Sequence, residues 1–171
     1  PLRERNALLL AAGYAPIYPE RPLEDPSLNA ARSAIDLILR GHEPYPAVAV
    51  DRHWTLLAYN NAVTRLLSLV ADAELLKPPV NVLRLSLHPE GLAPFILNLA
   101  EWRAHLLARL RQQVRATADA RLGELLGELV AYPHPGAGTR HEAEAEAAIV
   151  VPMQLKLGET TLSLISTTTV F

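Results

Sequence analysis

The chain has no cysteine, which removes disulfides, thiolate nucleophiles and thiolate metal ligands from consideration. Aromatic residues are only 5% of it, so Leu, Ala and Val must build most of the interior. Neither sign of charge dominates: 16 Lys and Arg stand against 18 Asp and Glu, with a pI near 6.3. A surface that grips DNA or RNA is basic, so this stretch is not itself expected to read nucleic acid. No apolar run approaches the roughly 20 residues that cross a bilayer, and no signal peptide is visible. A cytoplasmic location without a membrane partner is therefore expected. Enzyme signatures are also missing: there is no HExxH, no Gly-rich phosphate loop and no G-x-S-x-G elbow. His134 and His141 lie in a breaker-rich stretch without fixed partners, so no metal site and no cofactor are expected.

What is present is an apolar half of 171 residues, enough for one domain with a sizeable core and a short appendage. The chain opens at Pro1 and closes on a strand-like run at Phe171, and it reads as part of something longer. Residues 5–13 have a short helical pattern, and the stretch from Tyr14 to Pro26, with four prolines counting Pro26, makes a connector. Asp25-Pro26 is a helix start, and Leu28, Ala31, Ile35, Ile38 and Leu39 form that helix's expected buried side, up to Gly41. Ala47 to Val50 and Trp54 to Tyr59 read as a hairpin turned by Asp51-Arg52-His53, a turn with a surface charge pair. On a regular strand Trp54 and Tyr59 lie on opposite faces.

Asn60 or Asn61 caps the next helix, and Pro94 to Arg115 is the longest helical pattern, with Ile96, Leu99, Leu106, Leu110 and Val114 inward. A second stripe on it holds Asn98, Trp102, His105 and Arg109. Asp119 caps a further helix that turns Leu122, Leu125, Leu126 and Leu129 inward. Residues 132–146 read as a loop. Ala147 to Leu157 and Thr160 to Phe171 are strand patterns around Gly158-Glu159. Two hairpins separated by helices predict an α+β fold, one antiparallel sheet covered by helices in the order of a PAS-type sensor. Such layers commonly hold a small ligand between helices and sheet.

The densest chemistry lies in Asn81-Val-Leu-Arg-Leu-Ser-Leu-His-Pro-Glu-Gly91. Asn81, Arg84 and His88 share a helix face among Leu83, Leu85 and Leu87, and Pro89 stops the helix. A cation, an imidazole and an amide there suit a polar or anionic group at the edge of an apolar cavity. The competing reading is an ion pair between Arg84 and an acidic neighbour, with Asn81 and His88 as caps. Trp102 walls an acyl tunnel or fills the core, and Trp54 is a weaker candidate for the same wall. Asn98 is expected to be buried and hydrogen-bonded, either to a ligand head group or to a strand backbone. Ser86 and His88 point apart on a helix, which disfavours a hydrolase pair.

Pro44-Tyr45-Pro46-Ala47, Val50-Asp51-Arg52, Trp54 with Leu57-Ala58 and Asn60, Asn81-Val-Leu-Arg84, His88-Pro89-Glu-Gly91 and Asn98-Leu-Ala-Glu-Trp102 together resemble the MmyB-like ligand-binding domain. Arg109-Leu110-Arg111 and Glu128-Leu-Val-Ala-Tyr132-Pro133 continue the resemblance, which covers roughly residues 1–171. It implies a PAS-like fold that follows a Cro-like helix-turn-helix in bacterial transcription regulators and binds a fatty acid or similar acyl ligand. Residues 1–24 then resemble the end of the helix-turn-helix region and its linker, and 25–171 the ligand-binding domain. DNA would be contacted by the upstream domain, and the chain is expected to be a homodimer. The Arg84 fork and His88 would meet the ligand carboxylate, with Asn81, Asn98, Trp102 and Trp54 around it. The alternative is a dimerisation or protein-interaction module with no physiological small ligand.

Overall fold

A computed structural model of the chain describes Arg5, Leu8, Leu9, Ala12, residues 25–133 and residues 151–165. The chain divides into two compact units, Pro1–Ile38 and Leu39–Phe171. The expected linker at 14–24, the loop from residue 134 and the outer parts of the last two strand patterns lie outside the described residues.

In the first unit Arg5, Leu8 and Leu9 are helical, and the Ala12 N–H donates to the Leu8 carbonyl at 3.0 Å. A 3-10 turn, Pro26–Leu28, then leads into helix α1, Asn29–Gly41, as Asp25-Pro26 predicts. Of the five residues expected on its buried side only Leu39 is buried; Leu28, Ile35 and Ile38 are half-buried and Ala31 is exposed.

The second unit carries the core. Strands β1, Val48–Val50, and β2, Leu56–Tyr59, pair antiparallel, with Val48 opposite Tyr59 and Val50 opposite Leu56. The register shifts between Ala49 and Val50, a bulge that breaks the regular alternation assumed for Trp54 and Tyr59. Trp54 is not in the strand at all. It sits in the turn at φ 65°, where Asp51 Oδ1 accepts the His53 and Thr55 N–H groups at 2.8 Å each.

Helix α2, Asn61–Leu67, follows Asn60, whose side chain does not cap it. The Asn60 amide instead accepts from the Ala47 N–H at 3.1 Å and donates to the Leu39 and Tyr45 carbonyls at 3.2 and 2.8 Å. Helix α3, Val82–Leu87, buries Leu83, Leu85, Ser86 and Leu87. The expected single helix from Pro94 is interrupted: a 3-10 turn at Ala93–Phe95 is followed by an isolated bridge between Ile96 and Leu155. Helix α4 starts only at Leu99 and runs to Thr117. Helix α5, Ala120–Ala131, is capped by Asp119 and buries Leu122, Leu125 and Leu129, with Leu126 packed at their margin.

Strands β3, Met153–Leu157, and β4, Thr160–Leu164, pair across Gly158-Glu159, and Gly158 takes the left-handed backbone (φ 60°) that this two-residue turn requires. Among the described residues the hairpins are two separate two-stranded sheets, not the one sheet expected. One edge of each is met by irregular chain. Thr55 bridges Asn81, with Leu56 N–H donating to the Val80 carbonyl, while Leu97 N–H donates to Gln154 beside the Ile96–Leu155 bridge. Leu66, Leu83, Leu87, Ile96, Trp102, Leu106, Leu107, Leu110, Leu122, Leu129 and Leu155 join α2 to α5 and β3 in one apolar core. No helix among the described residues is long and apolar enough to cross a membrane.

Candidate functional site

Helix α3 is short because both ends are fixed by side-chain and backbone chemistry. Asn81 is its N-cap: Oδ1 accepts from the Leu83 and Arg84 N–H groups at 3.0 and 3.2 Å, and Nδ2 donates to the His53 carbonyl at 2.9 Å. His88, ahead of Pro89, leaves the helical region at ψ 139°. The amide of Asn81 is thus engaged by backbone, as its capping reading expects.

Arg84 projects from the last turn of α3 to the end of α5, where it meets Glu128. Its Nε donates to Glu128 Oε1 and Oε2 at 2.8 and 3.1 Å, and its Nη2 to Oε2 at 2.7 Å. This is a two-nitrogen grip on one carboxylate, the geometry in which a guanidinium binds that group best. Tyr132, four residues after Glu128, donates its hydroxyl to Oε1 at 2.6 Å. The His88 ring meets the Tyr132 ring edge-on at 5.0 Å, and its Nδ1 accepts the Glu90 N–H at 3.1 Å. The ion pair with an acidic neighbour, the competing reading of Arg84, is thus present, with Glu128 as the acid, and Tyr132 links that acid to His88.

The electrostatics follow from these bonds. The Arg84 guanidinium holds the Glu128 carboxyl below the ordinary glutamate range against the opposing effect of burial, and Tyr132 helps. The Glu128 hydrogen bond in turn raises Arg84. Burial, then donation to Glu128, pushes the Tyr132 hydroxyl up. Because Glu128 is depressed on folding, the pair's contribution to stability is present in full above the ordinary value near 4.5 and is lost as pH falls through the lower folded value. The stability gap between the wild type and Glu128→Gln is therefore expected to shrink in urea titrations taken from pH 6 to pH 3. A gap that stays constant over that range would show that the pair adds nothing to folding.

Trp102 is buried on α4, and its Nε1 donates to Ser86 Oγ at 2.9 Å, so Ser86 is a partner of α4. The His105 ring stacks on Trp102 at 5.7 Å; burial, then Arg109, lowers its pKa. Asn98 stands at the N-cap of α4 and not in a helix interior. Its Nδ2 donates to the Pro152 carbonyl at 2.8 Å and to Glu101, and its Oδ1 accepts the Gln154 N–H at 3.0 Å. The expected bond to a strand backbone is present, though Asn98 is half-buried and not buried as expected. Trp54 leans on α4: Nε1 donates to Gln113 Oε1 at 2.9 Å, and the Arg109 guanidinium lies 5.1 Å over its ring.

The six candidate residues therefore fall into connected groups along α3 and α4, with Arg84 and His88 at the α5 end. The Asp51-Arg52-His53 turn, expected to hold turn bonds and a surface pair only, also reaches a distant helix cap. His53 Nε2 lies 2.8 Å from Asp119 Oδ2, and that bond, more than any other contact, depresses the Asp119 carboxyl. Arg103 is a residue the pattern did not single out: buried on α4, it donates through Nη2 to the Leu129 and Val130 carbonyls at 3.2 and 2.8 Å. A cation at the C-terminal end of α5 also complements that helix's dipole. The spacing of Glu128 and Tyr132 is a helical i, i+4 pair, but no local signal links it to Arg84, 44 residues earlier. Among the described residues no group of three or more His, Asp or Glu is placed to hold a metal ion.

The family model for the MmyB-like transcription regulator ligand binding domain matches residues 31–170. No curated protein and no solved structure matches the chain.

Proposed function

The chain belongs to the MmyB-like transcription regulator ligand binding domain family, and from that premise we propose that it senses a fatty acid or similar acyl ligand. The family is a regulator's ligand-binding domain and not an enzyme family. In this reading residues 25–171 are a PAS-like sensor, and residues 1–24 come from an upstream helix-turn-helix region that contacts DNA. The protein works in the cytoplasm as a homodimer. The observation that carries the reading is the Arg84 fork. A guanidinium already shaped around a carboxylate stands on a helix whose Leu83, Leu85 and Leu87 are core. An acyl ligand presents the same two chemistries, an anionic head and an apolar chain.

The ligand's occupancy would shift the balance between two arrangements of the attached DNA-binding domains. Chain burial supplies most of the affinity, at about 0.8 kcal/mol per methylene, or roughly fourfold in Kd for each carbon added. The test is a titration of saturated fatty acids of increasing length, with native mass spectrometry of protein purified without denaturation. Affinity that climbs with length, and an extra mass of roughly a few hundred daltons, are expected. Affinity indifferent to length sinks the acyl reading.

One observation favours a second reading, an interaction module. Tyr45, Val48, Leu57 and Tyr59 around the first hairpin are all exposed. The same spectra separate the two, since a module of that kind gives paired chains with no added mass.

A further inference from the structure

Resting on the acyl-sensing reading, we propose that Glu128 is an internal stand-in for the ligand's carboxylate. An acyl ligand takes Arg84 by displacing Glu128, and so breaks the bond between Glu128 and Tyr132 at the end of α5. Nε and Nη2 of Arg84, along one guanidinium edge, form a fork that fits a single carboxylate, and Glu128 occupies it through both oxygens. A second carboxylate cannot share that edge, and one placed beside it would face the full charge of Glu128.

The pair is also reachable. The Arg84 and Glu128 side chains keep 42% and 36% of their exposure, and ion pairs that open to water contribute little net stability. Exchanging one carboxylate for another therefore costs little at Arg84. The ligand's advantage comes from its chain, which Glu128 lacks.

The exchange has a structural consequence because Glu128 does not serve Arg84 alone. It accepts the Tyr132 hydroxyl, and Tyr132 packs against the edge of His88. A displaced Glu128 removes the Tyr132 partner and frees the side chains of the last turn of α5. The backbone of that turn stays held, since Arg103 grips the Leu129 and Val130 carbonyls from α4. Occupancy at α3 is thereby read as a side-chain rearrangement at the α5 end, with the helix itself in place.

The test uses the full chain, dodecanoate as the probe, and its methyl ester as the probe without charge, by isothermal titration calorimetry at pH 7. Glu128→Gln is expected to bind dodecanoate roughly tenfold more tightly than the wild type, with ester affinity unchanged. In the unaltered chain labelled with 13C at the glutamate side-chain carboxyls, the Glu128 resonance is expected to shift with dodecanoate and to stay put with the ester. This second readout decides the matter even where the variant fails to fold. Dodecanoate that binds the wild type while leaving the Glu128 resonance unmoved overturns the exchange and leaves acyl sensing standing. So does an equal gain for acid and ester in the variant, which signals looser packing and not a vacated fork. If neither probe binds either protein, acyl sensing and the exchange fall together.

Discussion

Leu110→Ala is expected to cost the chain about 2–5 kcal/mol, the range for truncating a fully enclosed leucine. Leu110 has no solvent exposure on α4 and belongs to the core shared with Leu122 and Leu129 of α5 and Leu155 of β3. The surrounding elements are tied to one another by Trp102–Ser86, Asn98–Gln154 and Arg103–Val130, so the space left behind has little room to collapse. For a chain of this size each kilocalorie lowers the melting temperature by roughly 2–4 °C. Calorimetric melts check it, with Leu97→Ala as the comparison. Leu97 is 54% exposed, and its truncation is expected to fall within about 0.5 kcal/mol of zero. Similar losses for the two leucines would mean that the interior around Leu110 is not closely packed.

Gly91→Ala is expected to destabilise by about 1–3 kcal/mol or more, although a methyl group is the smallest addition possible. After α3 the chain folds back on that helix: Gly91 N–H donates to the His88 carbonyl at 2.9 Å and Leu92 N–H to the Leu85 carbonyl at 2.8 Å. A Cβ at position 91 would lie 2.4 Å from the Leu85 oxygen and 3.3 Å from the His88 oxygen, and neither backbone atom can step aside alone. The clash strikes the turn that sets His88 against Tyr132, so the candidate site is expected to suffer with the fold. Gly123→Ala is the informative contrast. Position 123 lies within α5 with open space around it, and alanine there is expected to stabilise by about 0.5–1 kcal/mol. Urea denaturation of the two variants should give opposite signs. A neutral Gly91→Ala would show that the return over α3 has slack.

Local chemistry was readable wherever the deciding partner lay within a few residues. Asp119 ahead of Leu122, Leu125 and Leu129 announces a capped helix with one apolar face, and α5 is that helix. Gly158-Glu159 between β-branched runs announces a tight turn, and β3 and β4 meet across it. Asn81 as a cap needed only the two amides that follow it. Apolar periodicity was less reliable at Pro94 to Leu99. The period continues through Ile96, but Ile96 bridges Leu155 and Asn98 holds the β3 backbone, so strand contacts overrode helix propensity. Trp54 escaped for a related reason: the bonds to Asp51 bend the turn into a positive φ that an alternating pattern does not foresee.

The one-dimensional pattern by itself determined the order of helices and hairpins, the inward leucines of α4 and α5, and the placing of Arg84 on a short helix that stops at His88-Pro89. Each of these depends on spacing along the backbone, which repeats every two or 3.6 residues and can be counted. Only the tertiary structure decided that the hairpins stay as separate sheets, that Trp54 meets Gln113, that His53 meets Asp119, and that Glu128 holds Arg84. Those outcomes join residues 44 to 66 positions apart. Charge and size alone allow many such pairs, and the packing of α3, α4 and α5 around one core selects among them.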